Sequence, residues 1–220
     1  MPPASVGGRT AASAAVDFVI MEHAPAIDAV LARHYEAIRR RMQRLAGAPV
    51  RSRHYSDVDD FGSAAAVILS GSFAPWSVHD PGALARLGEC VGRFDGAVLG
   101  ICAGMQRLVV SAGGAIGPRE RPAIGYETVE ILDEADLLGG LGPTAVTYEH
   151  HSWDVVSLPP GFVVLARSED CAVEALRARD RPWWGTQFHP ERFSAQHPAG
   201  ARVLRNFLVL AGVGAGRTLG

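Results

Sequence analysis

A cysteine flanked by glycines, and a histidine and glutamate separated by one proline, have the types and spacing to do chemistry in this sequence. The stretch Val98-Leu99-Gly100-Ile101-Cys102-Ala103-Gly104-Met105-Gln106 sets Cys102 between an apolar run of strand character and the start of a helical pattern. A sharp strand-to-helix turn strains its central residue and leaves no room for bulky neighbours, so Gly100 and Gly104 mark a nucleophile elbow. The first N–H groups of the following helix have no partner one turn back, and the positive end of its dipole favours an anion or a developing oxyanion. An isolated cysteine is by itself more often an inert core residue. The second segment tips the balance. Trp183-Trp184-Gly185-Thr186-Gln187-Phe188-His189-Pro190-Glu191 ends a strand-like run in His189 and Glu191. A thiol nucleophile needs a base, the base needs an acceptor for its other ring nitrogen, and a rigid proline fixes the relation of the two.

The surrounding pattern is that of an α/β domain able to hold such an elbow. Val16–Met21 reads as a strand and residues 26–45 as a helix, through Ile27, Val30, Leu31, Tyr35, Ile38, Met42 and Leu45, closed by Gly47 and Pro49. Strands follow at 50–55, 65–69 and 97–99, with helices at 81–93 and 105–112. Alternation of buried strands with helices implies a mostly parallel sheet covered on both faces. From Glu127 the texture changes to short alternating strands, at 127–132, 145–148, 154–157, 162–166, 173–176 and 183–187, before a last helix at 199–210. An antiparallel excursion is expected there. The segment 1–15 reads as a disordered tail, 16–211 as one domain and 212–220 as a flexible Gly-rich tail.

The Gly-Ile-Cys-Ala-Gly-Met-Gln run at 100–106 and Phe-His-Pro-Glu at 188–191 together resemble the paired signatures of class I, triad-type glutamine amidotransferases. The resemblance covers roughly residues 16–210. It implies a flavodoxin-like fold, glutamine as substrate, a γ-glutamyl thioester on Cys102, His189 as base and Glu191 as its orienter. Ammonia would pass to a separate synthase subunit, since the chain has no nucleotide-binding loop. Gly71, in Leu69-Ser70-Gly71-Ser72, matches the family's glycine-rich oxyanion turn, with Ala103 N–H as the other donor. The turn departs from the common Gly-Gly-Pro by running through Phe73, Ala74, Pro75, Trp76 and Ser77. Gln106 is expected at the substrate.

Residues 151–171 locally resemble the glutaminase part of GMP synthases. Two registers are open: His151 aligned with that group's histidine, or Ser152-Trp153 aligned with a His-Ser-aromatic pattern that holds the glutamine backbone. The second is favoured, making Ser152 and Trp153 substrate-binding. A free-standing γ-glutamyl hydrolase with the same triad, and a non-catalytic interaction protein of the same fold, are the alternatives.

Composition narrows the field further. All 21 basic residues are arginines, which excludes Schiff-base chemistry on a lysine of this chain. A net charge of −2 without charge runs gives no footprint for nucleic acid or an anionic membrane, and no apolar run approaches the ~20 residues of a bilayer span. Cys90, Cys102 and Cys171 form no CxxC pair, pointing away from a disulfide framework or structural zinc and towards a cytoplasmic protein without metal or cofactor. Cys90 and Cys171 read as core residues. His23, His34, His54, His79 and His197 read as surface or capping residues, and Arg39-Arg40-Arg41 with Arg44 as a solvated helix face.

Overall fold

The computed structural model describes residues 15–214, so most of the expected tails 1–15 and 212–220 lies outside the described residues, while Val213, assigned to the second tail, is buried in the core. The strands are β1 Val16–Ile20, β2 Val50–His54, β3 Ala66–Leu69, β4 Ala97–Ile101, β5 Ala115–Ile131, β6 Thr144–Ser157, β7 Phe162–Arg167, β8 Ala175–Ala178 and β9 Trp183–Thr186. The helices are α1 Ala29–Ala46, α2 Pro81–Arg93, α3 Ala103–Ser111 and α4 Ala199–Leu210. All nine strands form one sheet in the order β2-β1-β3-β4-β9-β8-β7-β5-β6. The first five in that order are parallel, and β8, β7, β5 and β6 continue the sheet antiparallel.

Strand β3 shows why the parallel half reads as continuous apolar sequence. Its Ala66 and Ile68 enter the core that also holds Tyr35, Met42, Val203 and Phe207 of α1 and α4. Val67 and Leu69 enter the opposite core, with Leu84 and Leu87 of α2 and Leu108 of α3. A strand with period two and helices on both sides has no face left for polar residues. Helix α1 starts at Ala29 because Asp28 caps it, accepting from Val30 N and Leu31 N at 2.9 and 2.8 Å. Gly47 ends it in the left-handed region at φ 60°. Val30, expected on the apolar face, is exposed.

The antiparallel half departs most from its sequence expectation. Strand β5 runs for 17 residues, where a strand was expected only at 127–132. Gly117, Pro118 and Pro122 suggest a loop, yet they lie in a solvent-facing ribbon whose register with β6 shifts between Pro118 and Ala123. The expected pieces 145–148 and 154–157 are one strand, β6, which carries His150, His151, Ser152 and Trp153 in its middle.

Under that strand lies a buried charge cluster. Glu149 of β6 and Glu174, the residue before β8, are essentially inaccessible, as is His151. Thr147 Oγ1 donates to Glu149 at 2.9 Å and Ser168 Oγ to Glu174 at 2.7 Å. His151 Nε2 lies 3.4 Å from Glu149 and its Nδ1 3.1 Å from Asp154. Potential ligand atoms of Glu149, His151 and Glu174 fall within 4.8 Å of one another, a spacing that linear sequence conceals because Glu174 lies 25 residues beyond Glu149, just before β8. Although burial opposes its charge, Asp154 and Glu149 raise the proton affinity of His151 to about pKa 10, so the cluster carries a cation of its own. Burial, reinforced by Glu149, pushes Glu174 up to about 8.

A raised carboxyl pKa means that the folded protein holds a proton which the unfolded chain releases above about 4.5. Stability attributable to Glu174 therefore falls as pH rises from about 4.5 to about 8, then stays level. Glu174→Gln reproduces the protonated group and removes that loss. The Tm of the variant should match wild type near pH 4.5 and exceed it by on the order of 5 °C at pH 8. Parallel Tm curves across this range would show that Glu174 is ionised in the folded protein.

Candidate active site

The site lies at the carboxyl ends of the parallel strands, where β4 turns into α3 and β9 runs into the loop before α4. Cys102 sits at the junction with φ 50° and ψ −108°, a conformation that costs a non-glycine residue on the order of 1–3 kcal/mol. Two hydrogen bonds hold it there: Cys102 N donates to Thr186 O of β9 at 2.7 Å, and Gly104 N donates to Ser70 O after β3 at 3.1 Å. A Cβ on Gly104 would strike Leu69 of β3, and one on Gly100 would strike the backbone of Met105. The glycines therefore let the first turn of α3 press against the sheet. Ala103 opens that turn, with its N–H free of any acceptor one turn back.

Cys102 is only 4% exposed, so its sulphur is reached through a pocket rather than across an open surface. Residues lining that pocket include Ser72, Trp76, Ala103, Gln106, Ser152 and Trp153. The favoured pair from β6 thus lies at the pocket, and His151 touches it too. Gln106 is buried, and its amide is engaged by the protein itself. Its oxygen accepts from Trp76 Nε1 at 2.9 Å, and its nitrogen donates to Trp153 O at 2.7 Å and Gln187 Oε1 at 3.0 Å. It ties the two tryptophan-bearing walls together.

His189 and Glu191 meet as the Pro190 spacer suggests, with Nδ1 2.7 Å from Glu191 Oε1. His189 Nε2 is buried without a hydrogen-bond partner among the described residues. Burial works against charge on this ring, but Glu191 and the nearby Cys102 outweigh it and raise the pKa well above the ordinary histidine value. Burial likewise opposes charge on Glu191, and His189 overcomes it, holding the carboxyl below its usual range. Arg41 reaches from α1 to donate to Glu191 O and Phe193 O, both at 2.8 Å. Arg41 is therefore committed to bracing this loop, and the expectation of a solvated arginine face fails for it. Arg39 and Arg40 pair with Glu36 on their own helix.

Gly71 is pressed between the two halves of the site. A Cβ there would come within 2.7 Å of His189 Cε1 and 3.5 Å of Cys102 Cβ, so only glycine lets the turn approach both. His79, expected at the surface or as a cap, does cap the short helix Trp76–Val78 but is buried at the base of the turn, its Nε2 2.9 Å from Met21 O. Glu22, absent from the sequence expectations, is buried beneath the same turn. Its place just past the end of β1, on the edge where α/β sheets build sites, was the available signal. Cys90 and Cys171 are core residues. Cys90 Sγ lies 3.0 Å from Asp59 O, and burial, then Glu174 and Asp154, push the Cys171 thiol upwards.

A family model described as "Glutamine amidotransferase class-I" matches residues 28–211. A glutamine-hydrolysing GMP synthase subunit from Thermococcus kodakarensis is 39% identical over 135 residues, covering 61% of this chain and 71% of that protein. Its counterpart in Pyrococcus furiosus is 38% identical over 136 residues, covering 62% and 71%. A candidate GMP synthase subunit from Thermoplasma acidophilum shares the fold at a TM-score of 0.75 and 24% identity, over 90% of this chain and 94% of its own. A glutamine amidotransferase from Thermotoga maritima does so at 0.68 and 14%, over 90% and 97%. The family match spans both the elbow and the His-Pro-Glu segment, and with them most of the sheet that brings the two together: the chain belongs to the class I glutamine amidotransferases, enzymes that hydrolyse glutamine.

Proposed function

We propose that this chain is the glutaminase subunit of a two-subunit GMP synthase, with Cys102 as nucleophile, His189 as base and acid, and Glu191 as the orienting group. The observation that carries the residue assignment is the strained Cys102 backbone beside a buried histidine whose far nitrogen is bound at 2.7 Å by Glu191. Its place in a two-subunit enzyme is supported by relatives at 38–39% identity that are themselves named as glutamine-hydrolysing GMP synthase subunits. No helix among the described residues is long and apolar enough to cross a membrane.

In the reaction, Cys102 Sγ attacks the side-chain amide carbon of glutamine, and the carbonyl electrons move onto oxygen. N–H groups of Ala103 and of the turn at Gly71 receive that oxyanion. The raised proton affinity of His189 suits it to protonate the departing nitrogen, which leaves as ammonia when the C–N bond breaks. Water then adds to the thioester with His189 accepting its proton, and glutamate leaves as the C–S bond breaks. Ser152 and Trp153 would hold the amino-acid end of glutamine, and Glu191 keeps the ring in one orientation throughout.

Cys102→Ala should lower glutamate release at least about a thousandfold with Tm unchanged, because a small residue replaces the thiol without opening a large cavity. His189→Asn should cost as much, and Glu191→Gln less, since the imidazole still samples the productive tautomer. The glutamine analogue 6-diazo-5-oxonorleucine should modify Cys102 alone, by peptide mass mapping. Wild-type turnover in Cys102→Ala, or an adduct chiefly on Cys90 or Cys171, would remove the assignment.

Glutamate release by the purified chain should rise at least about tenfold when the companion synthase from the same genome and its acceptor substrate are added, as docking and substrate closure gate many such sites. Full turnover by the chain alone, with γ-glutamyl amides cleaved faster than glutamine, would favour a free-standing γ-glutamyl hydrolase.

A further inference from the structure

We propose that Glu22 is a positioning residue for the glutaminase reaction: its buried carboxylate clamps the Gly71–Ala74 turn so that the turn's free N–H groups serve the oxyanion. This rests on the reading of Cys102 as nucleophile and adds a residue that touches neither glutamine nor the sulphur.

Glu22 follows β1 and is completely buried, with no arginine or histidine paired to it among the described residues. A carboxylate withdrawn from water without a counter-cation is costly unless hydrogen-bond donors replace the solvent. Here the donors come chiefly from one place. Phe73 N and Ala74 N donate to it at 2.8 and 3.1 Å, and Ser72 Oγ donates at 3.0 Å. His23 N donates at 2.9 Å, and Tyr35 OH lies 3.2 Å from the other carboxylate oxygen. Three successive residues of the turn thus fold around a single acceptor, as a backbone nest folds around an anion.

The clamp fixes the peptides that face the nucleophile. Ser70 O is held by Gly104 N, and Gly71 O is held by Ser70 Oγ at 2.7 Å and approached by Tyr35 OH at 3.1 Å. Peptides here are trans, so each N–H points opposite to the preceding carbonyl. The N–H of Ser72 is therefore directed away from Tyr35, and Ser72 also lines the pocket that Cys102 and Ala103 line. Neither Gly71 N nor Ser72 N donates to any other group among the described residues. The long turn gains from Glu22 the rigidity that an oxyanion donor needs. A misplacement of about 1 Å in such a donor costs on the order of a hundredfold in rate.

The test uses Glu22→Gln and Tyr35→Phe in the full chain together with its partner synthase. In Glu22→Gln the amide sets an NH2 against backbone donors, so the turn shifts; kcat should fall about 10- to 100-fold with KM for glutamine within about threefold. Alkylation of Cys102 by iodoacetamide should stay within about twofold of wild type, because displacing iodide develops no oxyanion. Tyr35→Phe keeps the ring in the core and should show the same pattern at smaller size. Wild-type kcat in Glu22→Gln, or alkylation falling in step with kcat, overturns the proposal. If Glu22→Gln fails to fold, Tyr35→Phe decides: a lowered kcat with unchanged alkylation supports the clamp, and an unchanged kcat refutes it. Glutamate release persisting in Cys102→Ala strikes instead at the nucleophile assignment, separately from these outcomes.

Discussion

The backbone of Cys102 is in a region of conformational space that non-glycine residues avoid, and the rest of the architecture can be understood as what keeps it there. Strain of this kind persists only when neighbours over-determine it. Here β9 supplies Thr186 O to the Cys102 N–H, and the end of β3 supplies Ser70 O to Gly104 N. Two flanking strands must therefore be in register with β4 before the elbow can form. The same strands deliver Gly71 and His189, so the contacts that strain Cys102 also bring the glycine turn and the histidine to it.

Several of the ionisable groups buried around this elbow are paired with groups of opposite charge. His189 and Glu191 neutralise one another, and Arg41 supports their loop through backbone carbonyls rather than by competing for the carboxylate. Glu149, His151, Asp154 and Glu174 form a second network beneath β6, the strand that supplies one wall of the pocket. Glu191 and the thiol set the proton affinity of His189, and the same thiol also acts on His151, so the two networks meet at Cys102.

The parts of this arrangement that were legible in sequence are those carried by local pattern. Gly100, Cys102 and Gly104 announce a turn because sterics act over two residues, and His189-Pro190-Glu191 announces a pair because proline fixes a short spacing. The parallel strands were legible because burial on both faces leaves an unbroken apolar run such as Ala66–Leu69. Strand β5 was not, since its solvent-facing stretch contains glycine, two prolines and alternating charges and is held by pairing with β6 rather than by its own propensity. Glu22, His79 and the cluster at Glu149 were also hidden. Their partners are up to 58 residues away in the chain, and a single charged residue gives no sign of burial until the fold supplies its donors.

The position of β9 has a consequence for how the molecule comes into being. It is the last strand in the chain, yet it lies in the interior of the sheet, between β4 and β8. Until residues 183–186 are available, β4 has an open edge and the antiparallel half has nothing to join. Completion of the sheet is thus a late, long-range event of the kind that slows folding and leaves unpaired edges in its intermediates. Because His189 arrives on the segment that follows the missing strand, a partly folded chain has Cys102 without the histidine beside it. Assembly of the Cys102–His189 pair and closure of the sheet therefore depend on the same late pairing of β9.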